Sequence, residues 1–244
     1  MTPFSFVRKG ALSLIWLARS SVKMLRRARR SDAPDSNLLH LYAQELSRGW
    51  VRILNLNITM RNAERLTATQ PCVFIANHQS NLDIPILAPV LPQKTVVIVK
   101  KELLKVPFLG RMIVAGQNII IDRKNRADAH AGIGQAERAI RDSGISIWVF
   151  PEGTRNHGTP LPFKKGAFHL ARNAGVKLVP IVHAVSPNWV DAKRLYVKQR
   201  PNVIVEILAP IDTADFASIS ECIQQTQLLM RNVQSRIEAE VAVM

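Results

Sequence analysis

Cys72-Val73-Phe74-Ile75-Ala76-Asn77-His78-Gln79-Ser80-Asn81-Leu82-Asp83 joins five apolar residues to seven of which only Leu82 is apolar. The first five, short and partly β-branched, read as a buried strand. A histidine directly after such a strand sits at its mouth, where open α/β sheets place their chemistry. Pro85 cannot sit deep inside a helix, so the next helix begins near Asn81 to Asp83. His78 then lies on the strand-to-helix turn and Asp83 at the helix start.

Residues five apart on a regular helix point to different sides. A turn followed by a helix start can instead fold Asp83 back towards the imidazole. A carboxylate on one ring nitrogen fixes the tautomer and leaves the other nitrogen to accept a substrate proton. Such a base contributes about 10²–10⁴ in rate. The alternative is a polar turn with a helix-capping Asp, and the heptapeptide alone leaves both open.

Three further stretches bear on that choice. Phe150-Pro151-Glu152-Gly153-Thr154-Arg155 follows a second apolar strand, Ile145 to Val149. Gly116 leads into Asn118-Ile119-Ile120-Ile121-Asp122-Arg123, and Val179-Pro180-Ile181-Val182 follows a predicted helix. In this order and spacing, the four blocks resemble the glycerophospholipid acyltransferase family over roughly residues 40 to 210. His-x4-Asp alone is a weak signal; joined to the Phe150 block it is a specific one.

The resemblance implies an α/β fold of the glycerol-3-phosphate acyltransferase-like kind, a mixed sheet flanked by helices. It implies acyl transfer from acyl-CoA or acyl-acyl carrier protein to the 2-hydroxyl of 1-acyl-sn-glycerol-3-phosphate, with no cofactor and no metal. His78 would be the base and Asp83 its partner. Glu152, Gly153, Thr154 and Arg155 would belong to the acceptor-phosphate site, with Lys100 and Arg123 lining the same basic pocket. His183 stands where the family's fourth block often carries proline. A near rival keeps the mechanism and changes the acceptor to glycerol-3-phosphate or a lyso-ornithine lipid. A rival of another class is a non-catalytic basic membrane-binding protein, which would not require the His78/Asp83 pair.

Residue chemistry supports parts of this directly. The planar fork of Arg155 matches phosphate oxygens, and Gly153 lets backbone approach a ligand closely. Glu152 beside an anion is unexpected as a contact; pairing with a local Arg or a backbone N–H is simpler. Lys101, Lys164 and Lys165 read first as solvated charges. Amides at the start of the helix after His78 offer an oxyanion site. His40, His130, His157, His169 and His183 have no partner at a telling spacing. There is no Gly-x-Ser-x-Gly elbow, Walker loop or His-Glu-x-x-His, so direct attack of the acceptor hydroxyl on an acyl thioester is favoured.

At 244 residues, with 47% apolar composition, the chain has ample length for a core. A net charge of +15 calls for an anionic partner. Aromatics are only 6%, with no aromatic-interleaved basic motif and no zinc spacing, which argues against nucleic acid. The two cysteines, Cys72 and Cys222, fit no metal pattern and imply no disulfide framework.

The first 35 residues form a segment of their own, followed by an acyltransferase domain from 36 to 244. Gly10 to Ala18 is too short to span a bilayer, which needs about 20 apolar residues. As a helix it carries one stripe of Ala11, Leu14, Ile15, Ala18, Val22 and Leu25, and another of Arg19, Lys23, Arg26, Arg27 and Arg30. Eight basic residues precede the first acid, Asp32. This predicts an amphipathic anchor on an anionic membrane surface, at the cytoplasmic face of the inner membrane. The alternative is a basic helix packed on its own domain.

Asp32 to Asn37 reads as a break. Leu39, Tyr42, Leu46 and Trp50 then predict a helix, and the alternation from Leu54 to Met60 predicts a half-buried strand. Strands are expected over Thr95–Val99, Ile119–Ile121, Val176–Val185 and Val203–Leu208. Helices are expected over Ala127–Asp142, from Gly166 to Gly175, and after the capping box Ser218-x-x-Glu221. The resemblance gives Leu103 to Gly110 a place flanking the site on a lipid-facing surface.

Overall fold

The computed structural model describes residues 3–30, 37–79, 83–156, 161–187, 190–191, 196–197 and 200–244. Parts of the 32–37 break, the boundary at residue 35, His157 and the amides of residues 80–82 fall outside them.

The strands are β1 (Asn57–Arg61), β2 (Val73–Ala76), β3 (Thr95–Lys100), β4 (Ile119–Ile121), β5 (Ser146–Val149), β6 (Leu178–Val185), β7 (Val190–Asp191), β8 (Tyr196–Val197) and β9 (Asn202–Ile207). Seven of them form one sheet in the order β1-β9-β6-β2-β5-β3-β4. Every pair is parallel except β6 with β9, so the sheet is mixed. β7 and β8 form a separate antiparallel pair.

The helices are α1 (Pro3–Ala28), α2 (Leu38–Leu54), α3 (Arg65–Ala68), α4 (Asp83–Leu87), α5 (Leu109–Ala115), α6 (Arg126–Ser143), α7 (Gly166–Ala174) and α8 (Ile219–Val243). They cover both faces of the sheet, which explains the uniform apolarity of β2. Val73 and Ile75 join the core formed with α6, α7 and α8. Cys72, Phe74 and Ala76 join the opposite core, with Ala43 of α2 and Ile86 and Leu87 of α4. All five are fully buried, and burial pushes the Cys72 thiol up to about 12.

The caps follow the sequence signals. Gly144 and Gly175 close α6 and α7 in the left-handed conformation. The Ser218 hydroxyl accepts the Glu221 N–H at the start of α8.

The alternation from Leu54 to Met60 is only partly a strand. Leu54 still belongs to α2, which Asn55 closes at φ 58°, and β1 starts at Asn57. Leu56 packs on Val51, Leu54 and Ile58 in a small cluster beside the turn. The apolar alternation there records a helix end, a turn and a strand that share one patch. The 103–110 stretch is likewise split, between a 3-10 segment (Lys101–Lys105) and α5.

α1 pairs with α2 as an antiparallel hairpin. Lys9 Nζ donates to the Leu54 carbonyl (3.5 Å), Trp16 Nε1 to the Glu45 carbonyl (3.2 Å), and Lys23 pairs with the Glu45 carboxylate (2.9 Å). Ser21 and Tyr42 share a buried hydroxyl–hydroxyl bond of 2.7 Å. Burial raises the Tyr42 phenol to about 12, against the lowering effect of that bond. Gly49 makes room for the indole: a Cβ there would lie 1.9 Å from Trp16 Nε1. Met24, Leu38, Tyr42, Leu46 and Met112 form the seam, with α5 contributing the last.

The docked face of α1 is a third stripe, at Lys9, Ser20, Ser21 and Met24. It leaves part of the predicted apolar stripe outward, with Leu14 68% exposed, Ile15 56% and Val22 38%, while Leu25 of that stripe packs against the seam. No helix among the described residues is long and apolar enough to cross a membrane.

Candidate active site

β2 ends at Ala76, where its parallel register with β6 also ends, against Ile181. Asn77 continues the ladder with its side chain. Its Nδ2 donates to the His183 carbonyl and its Oδ1 accepts the His183 N–H, each at 3.0 Å. The carboxamide thus stands in for a peptide group. Losing it would strand two buried backbone groups, at about 1–3 kcal/mol each.

This clamp releases the chain into the turn that carries His78. Asp83, the first residue of α4, folds back onto the imidazole: Oδ2 lies 2.5 Å from His78 Nδ1 and accepts the Gln79 N–H at 2.8 Å. One oxygen therefore serves both the ring and the turn that precedes α4. Asp83 is an acceptor, so Nδ1 carries the proton and Nε2 presents its lone pair. The imidazole stacks on Phe150, ring centres 4.2 Å apart, and its side chain keeps 20% exposure. Phe150 thus has a role in the site that sequence reasoning did not assign.

Glu152 is buried, and its Oε1 accepts the His78 N–H at 3.0 Å. The backbone N–H reading holds. Its carboxyl is raised above the ordinary range by burial, which outweighs the lowering hydrogen bonds. The next residues complete the frame: the Asn156 N–H donates to the His78 carbonyl at 2.9 Å. The loop after β5 therefore grips the His78 backbone at both its N–H and its carbonyl.

Gly153 has φ +72°, and Lys164 lies over it closely enough that a Cβ would come within 2.9 Å of Lys164 Cε. Lys164 is exposed yet belongs to this loop rather than to a remote surface; its N–H donates to the Pro151 carbonyl at 2.8 Å. Arg123 Nη1 donates to the Gly153 carbonyl, bringing the end of β4 onto the loop. Lys100 ends β3 in register with Ile121 of β4, two residues short of Arg123. Thr154 is exposed and Arg155 half-buried. Lys101 and Lys165 are exposed, the latter preceding α7.

His183 is the correction. Sequence spacing gave it no partner, yet its Nε2 lies 3.2 Å from Asp83 Oδ1 and its side chain is fully buried. In the alternation of β6 it points to the α4 side, with Val179 and Ile181. Its partner is 100 residues distant in sequence. Burial by itself would raise the Asp83 carboxyl; hydrogen bonds from His183 and His78 overcome this and hold it well below the usual carboxylate range. Among the described residues there is no cluster of three or more His, Cys, Asp or Glu able to hold a metal.

The family model described as Acyltransferase matches residues 57–184, from β1 into β6. The chain is 39% identical over 173 residues to the 1-acyl-sn-glycerol-3-phosphate acyltransferase of Salmonella typhimurium, covering 70% of this chain and 69% of the relative. It is 35% identical over 193 residues to the enzyme of the same name from Escherichia coli K12, covering 78% of each. The crystal structure of the 1-acyl-sn-glycerophosphate (LPA) acyltransferase from Thermotoga maritima superposes with a TM-score of 0.79 at 20% identity, covering 97% of this chain and 95% of that one. At that identity the superposition speaks for the fold.

Proposed function

The chain belongs to the acyltransferase family, and on that premise we propose that it acylates the 2-hydroxyl of 1-acyl-sn-glycerol-3-phosphate to give phosphatidic acid. The observation that carries the reading is the 2.5 Å His78–Asp83 contact at the end of β2, framed by Glu152 and Asn156. His78 Nε2 takes the proton of the acceptor hydroxyl while its oxygen attacks the carbonyl carbon of an acyl thioester. The tetrahedral intermediate collapses, the C–S bond breaks, the ester forms, and the proton on His78 passes to the departing sulfur. Asp83 stabilises the transient imidazolium and keeps Nε2 aimed at the substrate. The donor is acyl-CoA or acyl-acyl carrier protein.

Arg155 and Arg123 supply the acceptor's phosphate with guanidinium donors, with Lys100 and Lys164 as added positive charge. Gly153 keeps backbone low beneath them.

The acceptor is a lipid that partitions into the bilayer, so His78 works near the headgroup plane. The exposed stripe of Leu14, Ile15 and Val22, flanked by Arg19, Lys23 and Arg26, supports attachment of α1 to the anionic cytoplasmic face of the inner membrane without crossing it. Its basic residues add about 1 kcal/mol each near such a surface, an effect that salt screens.

The deciding experiment incubates purified protein with oleoyl-CoA and, in parallel, lysophosphatidic acid, glycerol-3-phosphate or monoacylglycerol, with lipid mass analysis. Phosphatidic acid should form from lysophosphatidic acid far faster than ester from the other two. Equal turnover of the phosphate-free acceptor would remove the phosphate-site assignment.

A further inference from the structure

We propose that His183 is a positioning residue for the acyltransfer base, locking the Asp83 carboxylate through its second oxygen so that the first holds His78. The proposal rests on the reading of His78 as that base.

The terminal torsion of an aspartate is broad and has no steep minimum. The Oδ2 contacts, to His78 Nδ1 and the Gln79 N–H, both lie on the turn that the carboxylate is meant to orient. Oδ1 faces the other way and meets His183 Nε2 at 3.2 Å. That imidazole is anchored in the sheet. Its side chain is fully buried, and its backbone N–H and carbonyl are both held by the Asn77 carboxamide. The line of contact therefore runs from the rigid strand β6 through His183 and Asp83 to His78.

The chemistry of the ring supports the same direction. A carboxylate only accepts, so His183 Nε2 must carry the proton. His183 Nδ1 is buried and has no partner among the described residues. A proton there would be an unsatisfied buried donor, whereas a bare lone pair is less costly. His183 thus presents one donor, aimed at one oxygen.

The test uses the full-length protein. His183→Leu keeps an apolar side chain of moderate size and removes the donor; His183→Gln restores an N–H at nearly the same reach. Partners that orient metal-bound histidines are worth about 10- to 100-fold, and a fall of that order in kcat is expected for His183→Leu. The lysophosphatidic acid KM should stay within about threefold, since a base acts mainly in the transition state. His183→Gln should recover most of the loss. Wild-type kcat in a folded His183→Leu, or a His183→Gln variant as slow as His183→Leu, would overturn the proposal.

A second measurement does not depend on activity. In protein carrying ¹⁵N-labelled histidine, the resonance lost in His183→Gln should show protonation at Nε2 and not at Nδ1. Protonation at Nδ1 would overturn the brace even if kinetics were ambiguous. If wild type fails to acylate lysophosphatidic acid while the Nε2–H tautomer is found, the acceptor reading fails and the brace stands.

Discussion

At the end of β2 the protein buries polar groups; along α1 it exposes apolar ones. Asn77, Asp83, Glu152 and His183 are each less than a tenth exposed and are held by one another and by backbone. Val7, Leu14, Ile15 and Val22 are open, although the far side of the same helix is packed on α2. Both regions depart from the ordinary partition of residues, in opposite directions, and such departures are more informative than agreement with it. In the first, desolvation stiffens a hydrogen-bonded set around His78. In the second, a hairpin already stabilised by its buried face has no internal need for its outer one.

The largest expected effect breaks the first region. His78→Ala should lower kcat by about 10²–10⁴ with the acceptor KM little changed; a variant retaining a tenth or more of wild-type turnover in the lipid assay would remove His78 as the base.

The next breaks the second region. The double variant Leu14→Glu, Ile15→Glu places two charges on the open stripe without touching the α2 seam. Burying such side chains is worth about 1.5–3 kcal/mol each, so flotation with anionic vesicles should weaken by roughly tenfold or more per residue, with thermal unfolding unchanged. Equal flotation would place the membrane contact elsewhere, with Val106, Phe108 and Val114 the next exposed apolar group. Deleting residues 1–30 is a poorer test, because it would also uncover Leu38, Tyr42, Leu46 and Met112.

A smaller effect sharpens the distinction between the two faces of α1. Gly49→Ala drives a methyl into Trp16 and should cost about 1–3 kcal/mol, as overpacking does, lowering the melting temperature while leaving kcat in detergent near wild type. A neutral outcome would mean that the hairpin seam is slack.

The smallest concerns Glu152. Its folded-state carboxyl is raised, by burial first of all, so its favourable share of stability is present below the ordinary glutamate value of about 4.3 and fades as pH climbs through the raised one. Glu152→Gln keeps the acceptor for the His78 N–H and has no charge to bury. Denaturant melts should show the variant gaining on wild type as pH rises from acid towards neutral. A constant gap across that range would mean that the Glu152 charge carries no burial cost.

What could be read in the sequence followed from local pattern. β2 was legible because it is apolar on both faces, and α6, α7 and α8 because capping residues mark their ends. The His78–Asp83 pair was legible because both partners lie within one turn. α5 was not: the apolar 103–115 stretch carries Pro107 and shows no clean period, and Phe108 enters the helix at φ 64°. Asn77 and His183 were illegible as partners because contacts spanning 106 and 100 residues leave no spacing to recognise. The third stripe of α1 was missed because serines and a lysine do not resemble a docking face until Tyr42 and the carbonyl of Leu54 are set against them.

The place of β1 at the sheet edge has a consequence for how the protein is made. Its neighbour in the sheet is β9, with Asn57 opposite Asn202, 145 residues later in the chain. At about 5–20 residues per second, ribosomal synthesis needs roughly 7–30 s to deliver that partner. The α1–α2 hairpin has emerged whole before then, so its basic, apolar surface is available to a bilayer while the catalytic sheet still lacks an edge. The membrane attachment proposed for α1 would thus be open to the nascent chain before the sheet, and with it the site, is complete.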